Sequence, residues 1–162
     1  MTRQAVIVST ARTPIGRAYR GAFNDTDAPT LGGHAIANAV KRAGIDSAEV
    51  DDVIMGCAMQ QGSSGQNIVR TSAIAAGLPN SVSGMSIDRQ CSSGMLAIAT
   101  AAKQIVHDHM PITVGGGLES ISLVQNEHRN AYRAQDPNVI AKSQHAYMSM
   151  LETAETVAKR YD

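Results

Sequence analysis

Apolar residues along the chain follow two alternating rhythms. Short runs rich in strand formers occur at Ala5–Thr10 (AVIVST), Val50–Met59 (VDDVIMGCAM), about Ser81–Asp88, and ITVGGG after Pro111. Between them, apolar positions return every three or four residues, the spacing of one helix face. Such helices are predicted over about Pro29–Ala43, over Gln66–Ala76 and after Cys91. In the first, Leu31, Ala35, Ala37, Ala39 and Val40 form the apolar stripe, and Gly44 is a plausible residue to end it. Gly32 and Gly33 cost about 1 kcal/mol each in helix propensity, which implies close packing there. The second helix ends at Gly77, with Pro79 just beyond. Alternating short strands and helices predict βαβ units and a mostly parallel sheet, hence an α/β fold. In such folds function gathers at the carboxyl ends of strands, where Arg12, Gln60 and Cys91 would share one rim.

The stretch Ser86–His109 (SIDRQCSSGMLAIATAAKQIVHDH) organises the rest. Met95, Leu96, Ala97, Ile98, Ala99, Ala101, Ala102, Ile105 and Val106 surround the helix axis, and a helix apolar on all sides is expected to be buried. Cys91 falls where the first turn begins. Unpaired backbone N–H groups and the helix dipole favour a thiolate there, which makes Cys91 a candidate nucleophile. Its N–H is also a candidate for an oxyanion hole. The ordinary alternative is a small buried hydrophobe, the commonest role of a free cysteine.

Residues 121–147 are polar and weakly periodic, too long for an ordinary connection and expected to run over the surface. Leu151–Tyr161 restarts a helix, with Glu155 and Lys159 as a favourable i,i+4 pair. The chain reaches Asp162 with no capping signal, which reads as a truncation. The expected domains are a core over 1–120 and the beginning of a second region over 121–162.

Composition narrows the function. A formal net charge of zero argues against nucleic acid or a membrane surface as the main partner. Hydrophobic residues at 43% suffice for a core, and aromatics at 3% make that core aliphatic. No run approaches the length of a membrane span. The absence of a signal peptide and the presence of two cysteines, Cys57 and Cys91, point to the cytoplasm and free thiols rather than to a Cys57–Cys91 disulfide.

Other candidates are weaker. Gly115-Gly116-Gly117 lacks the spacing of a nucleotide loop and fits better as a strand end approached by another backbone. His107 and His109 point to different sides of a helix, and His34, His128 and His145 are isolated, so no metal is predicted. Cys57 reads as core, and Ser92 and Ser93 as helix caps. A cysteine nucleophile needs a base, and no histidine here is placed to serve.

Five segments together carry a family resemblance: Arg12-Thr13-Pro14-Ile15-Gly16, Gly65-Gln66-Asn67 with Arg70, Asp88-Arg89-Gln90-Cys91-Ser92-Ser93-Gly94, Gly116-Gly117-Leu118-Glu119-Ser120 and Thr153-Ala154-Glu155. The chain resembles the amino-terminal part of a thiolase over nearly all its length. The resemblance implies a thiolase-like fold and acyl-CoA C-acyltransferase chemistry, thiolysis of 3-ketoacyl-CoA or the reverse Claisen condensation. Cys91 is then the acyl-accepting nucleophile, with its N–H in the oxyanion hole. The 121–150 excursion begins a loop domain over the coenzyme A site, and Met150 lines the acyl pocket. Where many biosynthetic members have His-Met-Gly, this chain has Ser149-Met150-Leu151, so their short-acyl preference and their histidine contact to coenzyme A are not carried over.

The resemblance further implies coenzyme A and acyl-CoA as substrates, no permanently bound cofactor, and a homodimer or homotetramer. Thiolases are roughly twice this length or more, since a second, similarly folded half follows. That half carries the catalytic histidine, a second cysteine and a water-positioning asparagine. The isolated chain is therefore expected to be inactive, and the alanine-rich helix to expose an apolar face that its twin in the second half would cover. Two alternatives belong to other classes: a half-enzyme activated by a separately encoded partner, and a non-catalytic module for binding or assembly.

Overall fold

A computed structural model describes residues 3–161. Its contacts divide into two compact units, one ending at Arg129 and the other beginning at Asn130.

The first unit is built on a parallel three-stranded sheet in the order β2-β1-β3. The strands are β1 (Asp52–Gly56), β2 (Ser83–Ile87) and β3 (Thr113–Gly117). Around them are helices α1 (Ala28–Ala43), α2 (Ile68–Ala75), α3 (Ser93–His107) and the single turn α4 (Ile121–Val124). Register pairs Gly56 with both Ile87 and Gly117, so all three strands end level. All five residues of β1 are buried, as a central parallel strand covered on both faces requires.

The two faces carry separate cores. Val53 and Met55 point toward Ile36 and Val40 of α1 and Ile68, Val69 and Ala73 of α2. Ile54 points the other way, to Ala97 and Ala101 of α3. The resulting α/β fold agrees with the sequence pattern. Gly44 ends α1 in the left-handed region at φ 70°, as its position suggested. Close packing explains Gly32 and Gly33: a Cβ on Gly32 would lie 2.5 Å from Ser72 Oγ, and one on Gly33 would lie 2.8 Å from Ala75 Cβ.

Two expectations need correction. Ala5–Thr10 forms no strand; it runs unpaired, with Val6, Ile7 and Val8 exposed. Arg42 donates to Thr10 O at 2.8 Å and Arg3 to Met110 O at 3.1 Å, but no strand among the described residues lies beside it. The helix after Cys91 is buried on one side only. Ser93, Ala97 and Ala101 face the sheet, whereas Met95 and Ile98 are 74% and 49% exposed. Apolar periodicity locates such a helix but does not say whether both its sides have neighbours.

The second unit contains α5 (Pro137–Lys142) and α6 (Met150–Tyr161), neither with a buried residue. Asp136 caps α5 through Asn138 N–H at 2.7 Å. Ser149 and Glu152 form a reciprocal box at the start of α6, Ser149 N–H donating to Glu152 Oε2 at 3.0 Å and Glu152 N–H to Ser149 Oγ at 3.2 Å. The Ser149 N–H and the Ser149 hydroxyl, both donating to Glu152 Oε2, hold the Glu152 carboxyl below its ordinary range. No helix among the described residues is long and apolar enough to cross a membrane.

Candidate active site

The turn between β2 and α3 presents Cys91. Asp88 accepts from the Gln90 N–H at 2.7 Å, and Gln90 takes the left-handed conformation at φ 49°, rare for a residue with a side chain. The Ser93 hydroxyl fixes the other side, accepting from Arg89 N–H at 2.8 Å and donating to Gln90 O at 2.6 Å. Ser92, expected to cap the helix, makes no capping bond with its side chain. Cys91 thus sits in one 3₁₀ turn (Gln90–Ser92), just ahead of α3 rather than inside its first turn. It is a free, exposed cysteine. Among the described residues its N–H has no hydrogen-bond acceptor.

Glycines bring this turn onto the sheet. A Cβ on Gly56 would lie 2.2 Å from the Ser93 carbonyl carbon, and one on Gly117 would lie 3.1 Å from Gly94 Cα. The carboxyl ends of β1 and β3 therefore touch the start of α3 backbone to backbone. Gly115 has the same packing role, since a Cβ there would meet Ile98 Cα at 2.9 Å, whereas one on Gly116 would only reach the Met55 side chain at 3.6 Å.

Cys91 opens into a cleft of about 470 Å³. Gly56, Gly94 and Gly117 line it where the strands and α3 meet, and Ala58, Met59, Leu118, Ile121 and Gln125 form much of its wall. Its lining includes neither Arg12 nor Gln60, so the rim expected to join them to Cys91 is not what encloses it. Gln60 instead donates back to Cys57 O at 2.9 Å. Apart from Cys91, Glu119 is the one ionisable group among the lining residues.

Glu119 enters the sequence reading only as part of a motif, and the structure gives it a distinct place. Oε1 accepts a short hydrogen bond from Ala58 N–H, and Oε2 lies 3.9 Å from Cys57 Sγ. Beside them Leu118 N–H donates to Gly56 O at 3.0 Å. Cys57 is fully buried, as expected of a core residue. Burial pushes its thiol up to about 11, and the negative charge of Glu119 adds to the effect. An acidic residue just past a strand end is the only sequence signal that could have marked Glu119.

The short α4, which supplies Ile121, is strapped down by the loop before α1. Tyr19 N–H donates to Ser122 Oγ at 2.9 Å, Ser122 Oγ donates to Asn24 Oδ1 at 3.0 Å, and the Tyr19 hydroxyl donates to Gln125 O at 2.8 Å. Met150, the other expected site residue, opens α6 in the second unit and is 71% exposed. Among the described residues no group of three or more His, Cys, Asp or Glu is arranged to hold a metal.

Residues 5–162 match the family model described as thiolase, N-terminal domain. The chain belongs to the thiolase family. It is 38% identical over 161 residues to a 3-ketoacyl-CoA thiolase of Bacillus subtilis (strain 168), a match covering 98% of this chain and 40% of that protein. It is 37% identical to an acetyl-CoA acetyltransferase of Escherichia coli (strain K12), covering 98% and 43% respectively. The crystal structure of the Bacillus anthracis acetyl-CoA acetyltransferase superposes with a TM-score of 0.71 at 39% identity, over 83% of this chain and 34% of that one. The thiolase-like fold and the amino-terminal location expected from the motifs therefore hold. The chain spans less than half the length of these relatives.

Proposed function

We propose that this thiolase-family chain is the nucleophile-bearing part of an acyl-CoA C-acyltransferase, with Cys91 forming the acyl-enzyme. The observation that carries the reading is the placement of Cys91: an exposed thiol on a turn fixed by Asp88 and Ser93, opening into the cleft at the strand ends. In thiolysis, Cys91 Sγ attacks the 3-keto carbonyl of the substrate. The bond between the α and β carbons breaks, its electron pair passes to the acetyl-CoA enolate, and protonation releases acetyl-CoA. The thiol of coenzyme A then attacks the Cys91 thioester, the acyl group leaves with coenzyme A, and Cys91 recovers its thiol. The free Cys91 N–H is a donor for the oxyanion of each tetrahedral intermediate. Met150 belongs to the acyl pocket in this reading.

The cleft lining holds no histidine or lysine among the described residues, and its one carboxylate, Glu119, is taken up by the Ala58 N–H, so the acid–base groups are assigned to the family's second half. The isolated chain is accordingly inactive, and the exposed Met95 and Ile98 face is covered by the second half. The complete enzyme is a cytoplasmic homodimer or homotetramer that takes coenzyme A and acyl-CoA as substrates and needs no resident cofactor. A cleft without a histidine or lysine, its one carboxylate Glu119 already bonded to the Ala58 N–H, also favours a second reading, a half-enzyme completed by a separate polypeptide; co-purification of such a partner would support it.

Acetoacetyl-CoA thiolysis by the full-length polypeptide tests the proposal. Cys91→Ala should abolish turnover while leaving the fold intact, and undiminished thiolysis by Cys91→Ala would overturn the assignment.

A further inference from the structure

We propose that Glu119 is a positioning residue of the Cys91 cleft, holding the Ala58–Met59 wall in place through its bond to the Ala58 N–H. The inference rests on the reading of Cys91 as nucleophile and extends it to a residue acting through others. Beyond Gly56 and Gly117 the regular ladder between β1 and β3 has ended. One backbone bond, Leu118 N–H to Gly56 O, and one side-chain bond, Ala58 N–H to Glu119, continue it. Ala58, Met59, Leu118 and Glu119 are all cleft-lining residues, so these two bonds set how far apart two walls of the cleft stand.

Both oxygens of the carboxylate are engaged, Oε1 by Ala58 N–H and Oε2 facing Cys57 Sγ. A carboxylate occupied in this way is placed to fix geometry rather than to carry protons. Reacting groups lose about a hundredfold in rate when misplaced by roughly 1 Å, so a wall held by one side chain is a point of leverage.

Two conservative substitutions in the full-length polypeptide separate position from charge. Glu119→Gln removes the charge but keeps a carbonyl oxygen that accepts from Ala58 N–H. Glu119→Asp keeps the charge but is one methylene too short to reach. The proposal expects kcat/KM for acetoacetyl-CoA thiolysis within about threefold of the parent for Glu119→Gln and lowered about tenfold or more for Glu119→Asp. Hydrogen exchange at the Ala58 amide, which reads the bond without reference to activity, should be slow in the parent and Glu119→Gln and fast in Glu119→Asp.

The opposite order, with Asp active and Gln impaired, would overturn the proposal in favour of a role for the charge. Equal activities in the two variants, whether both normal or both impaired, would also overturn it. So would an exchange pattern that matches while activity fails to follow. A Cys91→Ala control that remained active would show instead that the nucleophile assignment had failed.

Discussion

Gly56 and Ser93 meet backbone to backbone: a Cβ on Gly56 would lie 2.2 Å from the Ser93 carbonyl carbon. The contact ties the end of the central strand to the start of α3, two residues from Cys91. Neither backbone can yield cheaply, because β1 is paired on both sides and the Ser93 hydroxyl holds the preceding turn. Gly56→Ala should therefore lift the start of α3 and lower stability by about 1–3 kcal/mol, the usual cost of overpacking. Urea unfolding of the parent and variant measures this; an unchanged midpoint would mean that the contact is not tight.

The two cysteines should react very differently. Cys91 is exposed, whereas Cys57 is buried with its thiol raised to about 11. Near pH 8, iodoacetamide should label Cys91 in the native protein and reach Cys57 only after unfolding. Peptide mapping of a labelling time course would show it, and equal rates at the two sites would contradict it.

Cys57 also ties stability to alkaline pH. Its thiol is raised from the ordinary value of 9.0 to about 11. Below 9 the folded and unfolded chains are both protonated at this sulfur. Between about 9 and 11 the unfolded chain loses the proton while the folded chain keeps it, so unfolding is favoured as pH rises. Stability should fall across that window, and Cys57→Ala should fall less steeply when denaturant midpoints are compared at several pH values.

Tyr19 should matter beyond its own loop. A four-residue helix cannot hold itself together, and α4 depends on the bonds from Tyr19 and Asn24. Tyr19→Phe deletes the hydroxyl bond to Gln125 O, an exposed bond worth about 1 kcal/mol. Faster hydrogen exchange across 121–125, with β1 unchanged, is the expected result.

What the sequence made legible was local. Gly44 after an apolar stripe, and Gly32 and Gly33 within one, announce their roles through backbone chemistry alone. The strands Asp52–Gly56, Ser83–Ile87 and Thr113–Gly117 lie inside the runs that strand-forming residues marked. What failed was non-local. Ala5–Thr10 has strand composition, but a strand exists only with a neighbour, and composition carries no information about that neighbour. The helix after Cys91 looked apolar on every side because nothing in its periodicity tells a covered face from an uncovered one. Glu119 lies 61 residues from the amide it binds, a pairing that no spacing rule connects.

The central claim is that Cys91 carries the acyl group. Its most direct test is to mix the full-length polypeptide with acetyl-CoA, quench in acid and map the modified peptide by mass spectrometry. The account predicts one acetyl group on the peptide containing Cys91, removed by added coenzyme A and absent from Cys91→Ala. An acetyl group on another residue, or turnover with no acetylated Cys91 detectable at any time, would contradict it.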